Sequence, residues 1–157
     1  MINARSCAEI IADYTPKQKL SKYALKKIPL QFQSVLTILA GNEVSCDCHF
    51  ESDDGRYLYM DRNDGDSYVL IARSGQGDEW LLQCTDNKIY FLDHCIWEDE
   101  NAMIDLTISL EQFIVMADLL KQFETLVQPQ KSDIDLITQQ FLSLSELLSQ
   151  RFPFTFC

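Results

Sequence analysis

The sequence predicts an α+β fold: an antiparallel meander sheet of four to five strands, flanked by N-terminal helices and two C-terminal helices. Three observations carry this prediction. Residues 67–94, SYVLIARSGQGDEWLLQCTDNKIYFLDH, contain three runs of β-branched, aromatic and aliphatic residues separated by the turn signals SGQGD and TDNK. Links this short join antiparallel neighbours, because a parallel pair needs a crossover of about a dozen residues or more. On both sides of this block, apolar residues recur at helical rather than strand spacing.

Taken in order, residues 3–14 place Cys7, Ile10, Ile11 and Tyr14 at helical spacing, and Thr15-Pro16 ends the segment because proline disfavours helix in the residue before it. Residues 17–27 hold five lysines with Leu20, Tyr23 and Leu25, which suits a second helix or an irregular basic arm. Pro29 then opens a clearer helix, since a proline in the first turn gives up no hydrogen bond. Phe32, Val35, Leu36 and Leu39 form its buried stripe, and Gly41-Asn42 stops it. In residues 43–66, SCDCHFE reads as a strand, Asp53-Asp54-Gly55 as a hairpin turn, RYLYMD as the partner strand, and Asn63-Asp64-Gly65-Asp66 as the turn into the meander. Gly75 and Gly77 permit positive φ in the next turn, and Asp86-Asn87 tolerates it in the one after.

CIWEDENAM reads as a loop. Ser109, followed by Glu111 and Gln112, signals a helix whose stripe is Phe113, Met116, Ala117, Leu120 and Phe123, closed by Pro129. Ser132 is expected to cap a last helix, with Asp133 and Asp135 where the helix dipole favours negative charge. Its stripe, Ile134, Ile137, Phe141, Leu144, Leu147 and Leu148, packs on its own domain or docks in a partner's groove. The tail RFPFTFC reads as an edge strand or a plug.

With 157 residues, 46% of them hydrophobic, the chain is expected to form one domain over residues 1–157, with a core at about 28–127 and a helical extension at 132–157. Its apolar runs fall short of the ~20 residues a membrane-spanning helix needs, and MINARSCAEIIADY lacks the pattern of a secretory signal. A cytoplasmic protein with no membrane association is expected, its six cysteines reduced, with Cys84 and Cys95 buried as small hydrophobes.

Charge is the most informative part of the composition. Residues 47–111 hold sixteen acidic side chains against Arg56, Arg62, Arg73 and Lys88, a balance of −12 in a chain whose total is −11. Such a field excludes nucleic acid as a direct partner, since phosphates bind where Lys and Arg accumulate. It suits a basic protein partner, or serves only to keep the surface soluble.

Motifs for chemistry are sparse. Cys46, Cys48 and His49 with His94-Cys95 could supply zinc ligands, but C-x-C on a strand lacks the knuckle spacing of structural zinc sites. DRNDGDSYVLIA begins like a calcium loop, yet its glycine, Gly65, falls one place early and Ala72 stands where a bidentate Glu is required. No nucleophile signature surrounds His49 or His94, the only two histidines, which leaves a hydrolase built on either with nearby carboxylates as a minor alternative. Ser74-Gly75-Gln76-Gly77 joins two strands rather than opening a helix, so it reads as a turn and not a phosphate cradle. The acidic pairs fall in turns, where hydration keeps them from acid/base roles. The expectation is a binding protein with no enzymatic activity, no cofactor and no metal.

The motif order resembles the SUKH superfamily, which joins bacterial immunity proteins to a yeast cell-wall-synthesis regulator. The resemblance spans residues 28–123. Ile28-Pro29-Leu30-Gln31-Phe32 with VLTILAGN is similar to the family's Leu-Pro, aromatic and short-helix opening, although Ile28 replaces Leu and Gly41-Asn42 reverses the usual order. YVLIARSGQGDEWLLQCTDNKIYFLDH is similar to its strand, Gly-x-Gly-Asp, strand, turn and Asp-His core, and LTISLEQFIVMADLLKQFE to its closing helix. The resemblance implies a bacterial immunity protein that neutralises a cognate toxin, a basic nuclease or deaminase domain, by occlusion; the alternative is a non-enzymatic regulatory scaffold. Binding is then expected at Asp53, Asp54, Asp61, Asp64, Asp66, Asp78, Glu79, Asp86, Glu98, Asp99 and Glu100, with Tyr57, Tyr59 and Trp97 as aromatic anchors and Trp80 as an anchor or a core residue. A monomer or weak homodimer is expected.

Overall fold

The computed structural model describes residues 1–52, 60–61, 67–96, 99 and 102–156, with residues 60–61 as backbone. Ser6 starts α1 (Cys7–Ile11) with a capping box: its hydroxyl accepts from the Glu9 N–H at 3.3 Å, and the Glu9 carboxylate accepts from the Ser6 N–H at 2.8 Å. Ser21 caps α2 (Lys22–Lys27), so the basic segment ends in a helix rather than an irregular arm. α3 (Leu30–Leu39) follows Pro29 and buries Phe32, Leu36 and Leu39. Gly41, at φ +74°, turns the chain out of α3 in a conformation that other residues adopt only with strain.

Among the described residues, seven strands follow: β1 (Glu43–Ser45), β2 (Cys48–Phe50), β3 (Met60–Asp61), β4 (Ser67–Arg73), β5 (Glu79–Gln83), β6 (Lys88–Leu92) and β7 (Met103–Asp105). The sheet runs β1-β2-β4-β5-β6-β7 with every neighbour antiparallel, and β3 pairs β4 beside that path. The α+β meander is therefore as the sequence predicts, with more strands than four to five. Two causes account for the difference. Cys46 and Asp47 form a turn that splits SCDCHFE into a hairpin, and Met103–Asp105, in the predicted loop region, continues the ladder by pairing with β6. The expected hairpin between SCDCHFE and RYLYMD is also revised, because β2 pairs with Ala72 and Arg73 of β4 whereas β3 pairs with Ser67 and Tyr68 at its other end. The turn expected at Asp53-Asp54-Gly55 lies outside the described residues.

Turn chemistry holds at two of the four positions named. Gly77 sits at φ +97° and Asn87 at φ +51°. Gly75 is glycine for another reason: a Cβ there would stand 3.2 Å from the Cys46 carbonyl oxygen, where the β1–β2 turn passes close.

Period-two alternation sends the two halves of each central strand to opposite faces. Val69, Ile71, Trp80, Leu82, Ile89 and Phe91 join the main core with the helices, while Tyr68, Leu70, Leu81 and Leu92 form a second buried cluster with Ala102. Burial on both faces explains why SYVLIA and WLL read as continuous apolar runs.

α4 (Leu110–Glu124) begins at a Ser109–Gln112 capping box and lies against β1, β6, α1 and α5 (Lys131–Leu144). Enclosed on so many sides, it buries Ile114, Val115 and Leu119 as well as its predicted stripe. Its buried Asp118 is held by a two-pronged pair with Arg5 and by Gln122. α5 starts one residue before the expected cap, with Gln130 at the N-cap in place of Ser132. Its face is spent on α4: Ile137 and Phe141 are fully buried. The expected stripe also breaks at Ser145, whose extended backbone separates α5 from α6 (Leu148–Arg151). The tail is a plug rather than a strand. Phe154 meets Trp80 and Phe91, and Phe152 and Phe156 meet Phe141.

Phe113 of α4 packs against both Phe50 and Trp80. Truncating a fully buried phenylalanine at such a junction costs about 3–5 kcal/mol. Phe113→Ala is therefore expected to lower the free energy of unfolding in water by about that amount, read as a lower urea midpoint at unchanged m-value; a loss under about 1 kcal/mol would contradict the packing described.

Candidate functional site

The acidic surface expected to bind a partner divides on folding. Asp86, in the β5–β6 turn, and Asp99 are exposed. Glu79 faces Arg73 at 3.5 Å, and the same guanidinium holds Glu51 at 2.9 Å, so part of its charge is balanced locally. Asp53, Asp54, Asp64, Asp66, Tyr57, Tyr59, Trp97, Glu98 and Glu100 lie outside the described residues, and Asp61 is described through the backbone of β3. Trp80 is core: its ring is fully buried and its indole N–H donates to the Asp47 carbonyl at 2.7 Å.

Asp78 departs from the expectation of a displayed charge. It is 4% exposed, and its carboxylate turns inward. Oδ2 accepts from the Ser74 hydroxyl at 2.9 Å, and Oδ1 accepts from the His94 backbone N–H at 3.2 Å and lies 2.7 Å from His94 Nδ1. Burial alone would raise its pKa, but the hydrogen bonds from His94 and Ser74 outweigh burial and hold it below 3.8. The ionised carboxylate fixes the proton of a neutral His94 on Nδ1 and leaves Nε2 as an acceptor. Cys95 Sγ lies 3.3 Å from that Nε2.

Cys95 is thus exposed in the turn after β6, not buried in a strand as its apolar context suggests. The turn is built by Asp93, whose carboxylate accepts from the Cys95 N–H at 2.8 Å and whose carbonyl accepts from the Ile96 N–H at 3.2 Å. The arrangement is a line of thiol, imidazole and carboxylate: a nucleophile, a base and the group that orients the base. Sequence inspection for family signatures misses it. Hairpin counting finds it, because pairing Glu79 with Leu92 sets Asp78 beside the turn that carries His94 and Cys95.

A second cluster lies at the β1–β2 turn. Cys46 Sγ lies 3.0 Å from a Glu124 carboxylate oxygen, whose partner oxygen accepts from the Cys46 N–H at 3.1 Å. With Asp47 these groups rim an open cavity of about 250 Å³ floored by Leu120, Phe123, Phe152, Phe154 and Phe156. Burial, then the bond to Glu124, pushes the Cys46 thiol up to about 12, and burial raises Asp47. Cys46, Asp47 and Glu124 bring their donor atoms within 4.8 Å of one another. Cys48 points into the core while His49 is exposed. Among the described residues, no group of donor atoms within 4.8 Å combines these residues with His94 and Cys95, so the zinc set drawn from the sequence does not assemble.

Among the described residues, no helix is long and apolar enough to cross a membrane. No family model, curated protein or solved structure matches the chain.

The Asp78–His94 pair makes stability depend on pH. The bond to Asp78 raises the His94 pKa above 6.5, so its contribution is complete below 6.5 and is lost as pH rises through the raised value. Asp78, depressed below 3.8, contributes above 3.8 and loses its share as pH falls through the lowered value. The melting-temperature difference between wild type and His94→Gln is therefore expected to be widest between the two ordinary values and to narrow on either side. A difference that is flat with pH would contradict the pairing.

Proposed function

We propose that this chain is a non-enzymatic immunity protein of the SUKH kind, which neutralises a basic toxin domain by covering its working surface. The observation that carries this reading is the charge distribution: the sheet segment from Asp47 to Glu111 holds a balance of −12 while the rest of the chain comes to +1. Nuclease and deaminase toxins that handle nucleic acid need basic surfaces. An acidic protein surface competes for those same cations, and charge complementarity speeds the encounter and selects the partner. Among the described acids, Asp86 in the β5–β6 turn and Asp99 between β6 and β7 are exposed. The alternative is a non-enzymatic regulatory scaffold; the last helix, one candidate surface for it, buries Ile137 and Phe141 in its own domain.

The test is co-expression with the toxin module encoded beside this gene, followed by co-purification and by survival of the producing cell. Charge reversal at Asp64, Asp66, Asp86 and Asp99 to Lys is expected to slow association by about tenfold or more at low salt and to flatten its salt dependence. Unchanged kinetics would move the interface off the acidic surface, and absence of any protected toxin would remove the reading.

A further inference from the structure

We propose that Cys95 is a thiol-exchange site that takes up a small cationic disulfide, with His94 as its base and Asp78 as the residue that positions the base. Two of the described cysteines, Cys46 and Cys95, are exposed, and they face opposite chemistry. The Cys46 sulfur meets a carboxylate, which accepts its S–H and repels the thiolate. The Cys95 sulfur meets an imidazole nitrogen whose lone pair is free to accept a proton because Asp78 holds the other ring nitrogen. The backbone fixes both parts. The β5–β6 hairpin brings Asp78 to His94, and the Asp93 turn presents His94 and Cys95 toward one another from adjacent positions.

The step balances without any further reagent. The Cys95 S–H proton passes to His94 Nε2 as the sulfur attacks one sulfur of the disulfide, whose S–S bond breaks while a new one forms to Cys95. The departing thiolate then takes the proton from the imidazolium, leaving a mixed disulfide on the protein and one free small thiol. Desolvation and Asp93 hold the Cys95 thiol above its ordinary pKa, so preformed thiolate is scarce at neutral pH and the route through His94 dominates there. Among the described residues, the charged groups facing His94 are Asp78 from the β4–β5 turn and Asp93 from its own turn. Both are acidic, which favours a cationic disulfide over an anionic one.

The experiment uses the full chain with Cys157→Ser, exposed to cystamine or to oxidised glutathione, with each cysteine followed by peptide mass mapping. Cys95 is expected to acquire cystamine on the order of a hundredfold faster than Cys46, and faster than it acquires glutathione. The rate should rise through a midpoint above 6.5, set by the raised His94 pKa, whereas attack by preformed thiolate would follow the Cys95 thiol, which is raised above 9.0. His94→Gln should remove that midpoint, and Asp78→Asn should move it lower while thermal unfolding reports the fold of each variant. Modification of Cys46 at an equal or greater rate in the unsubstituted site overturns the proposal, independently of how any variant folds. A Cys95 rate that follows thiolate ionisation alone also overturns it.

Discussion

Trp80 is the contact on which the rest of the structure depends. It is the second residue of β5, and its ring meets Phe91 of the neighbouring strand, Phe113 of α4 and Phe154 of the tail, with centroids 4.8 to 6.2 Å apart. Aromatic pairs at these separations add about 0.5–1.5 kcal/mol each beyond the burial of their area. Its one polar atom cannot be left unsatisfied in that setting, and the Asp47 carbonyl accepts from it. One side chain therefore fixes the sheet, the main helix, the C-terminal plug and the β1–β2 turn relative to one another.

That arrangement also explains where the unusual thiols sit. The indole bond draws the β1–β2 turn in, so that Gly75 must pass beneath the Cys46 carbonyl and Cys46 meets Glu124 of α4. At the same end of the sheet, the β4–β5 turn delivers Asp78 to the turn that follows β6. Two exposed sulfurs thus receive different neighbours, a carboxylate and an imidazole, from the same set of turns. The surplus acidic charge lies on a scaffold whose interior is apolar on both faces of the sheet, so the core supplies stability without it.

Helices were legible because their signals are local. Pro29, Gly41 and Ser109 all stand at helix ends in the folded chain, and capping and φ preferences depend only on near neighbours; the Ser6 and Ser21 caps went unread. The three meander strands were legible for the same reason. The pairing of β2 was not, since SCDCHFE is apolar enough to pair with either RYLYMD or β4, and only the closed ladder selects β4. Continuity of the last helix was misread because its apolar stripe continues past Ser145, where the backbone is extended at φ −158°, ψ 138°. Of the candidate site, the acids of the turns were legible as charge, but not which of them would be turned inward.

Composition and local spacing by themselves determined the α+β class, the antiparallel meander, the starts of α3 and α4 and the acidic bias of the sheet segment, because each follows from propensity, periodicity or simple counting. Tertiary structure alone decided that Asp78 is a buried hydrogen-bond acceptor, that Cys95 is exposed beside His94, and that α5 spends its apolar face on α4. The Asp78 and α5 relations join different elements of the chain, and the turn that exposes Cys95 follows a strand whose register is set by its neighbour. Strand register and helix docking set them, and a residue's own sequence neighbourhood carries no record of the partner that arrives from the next strand.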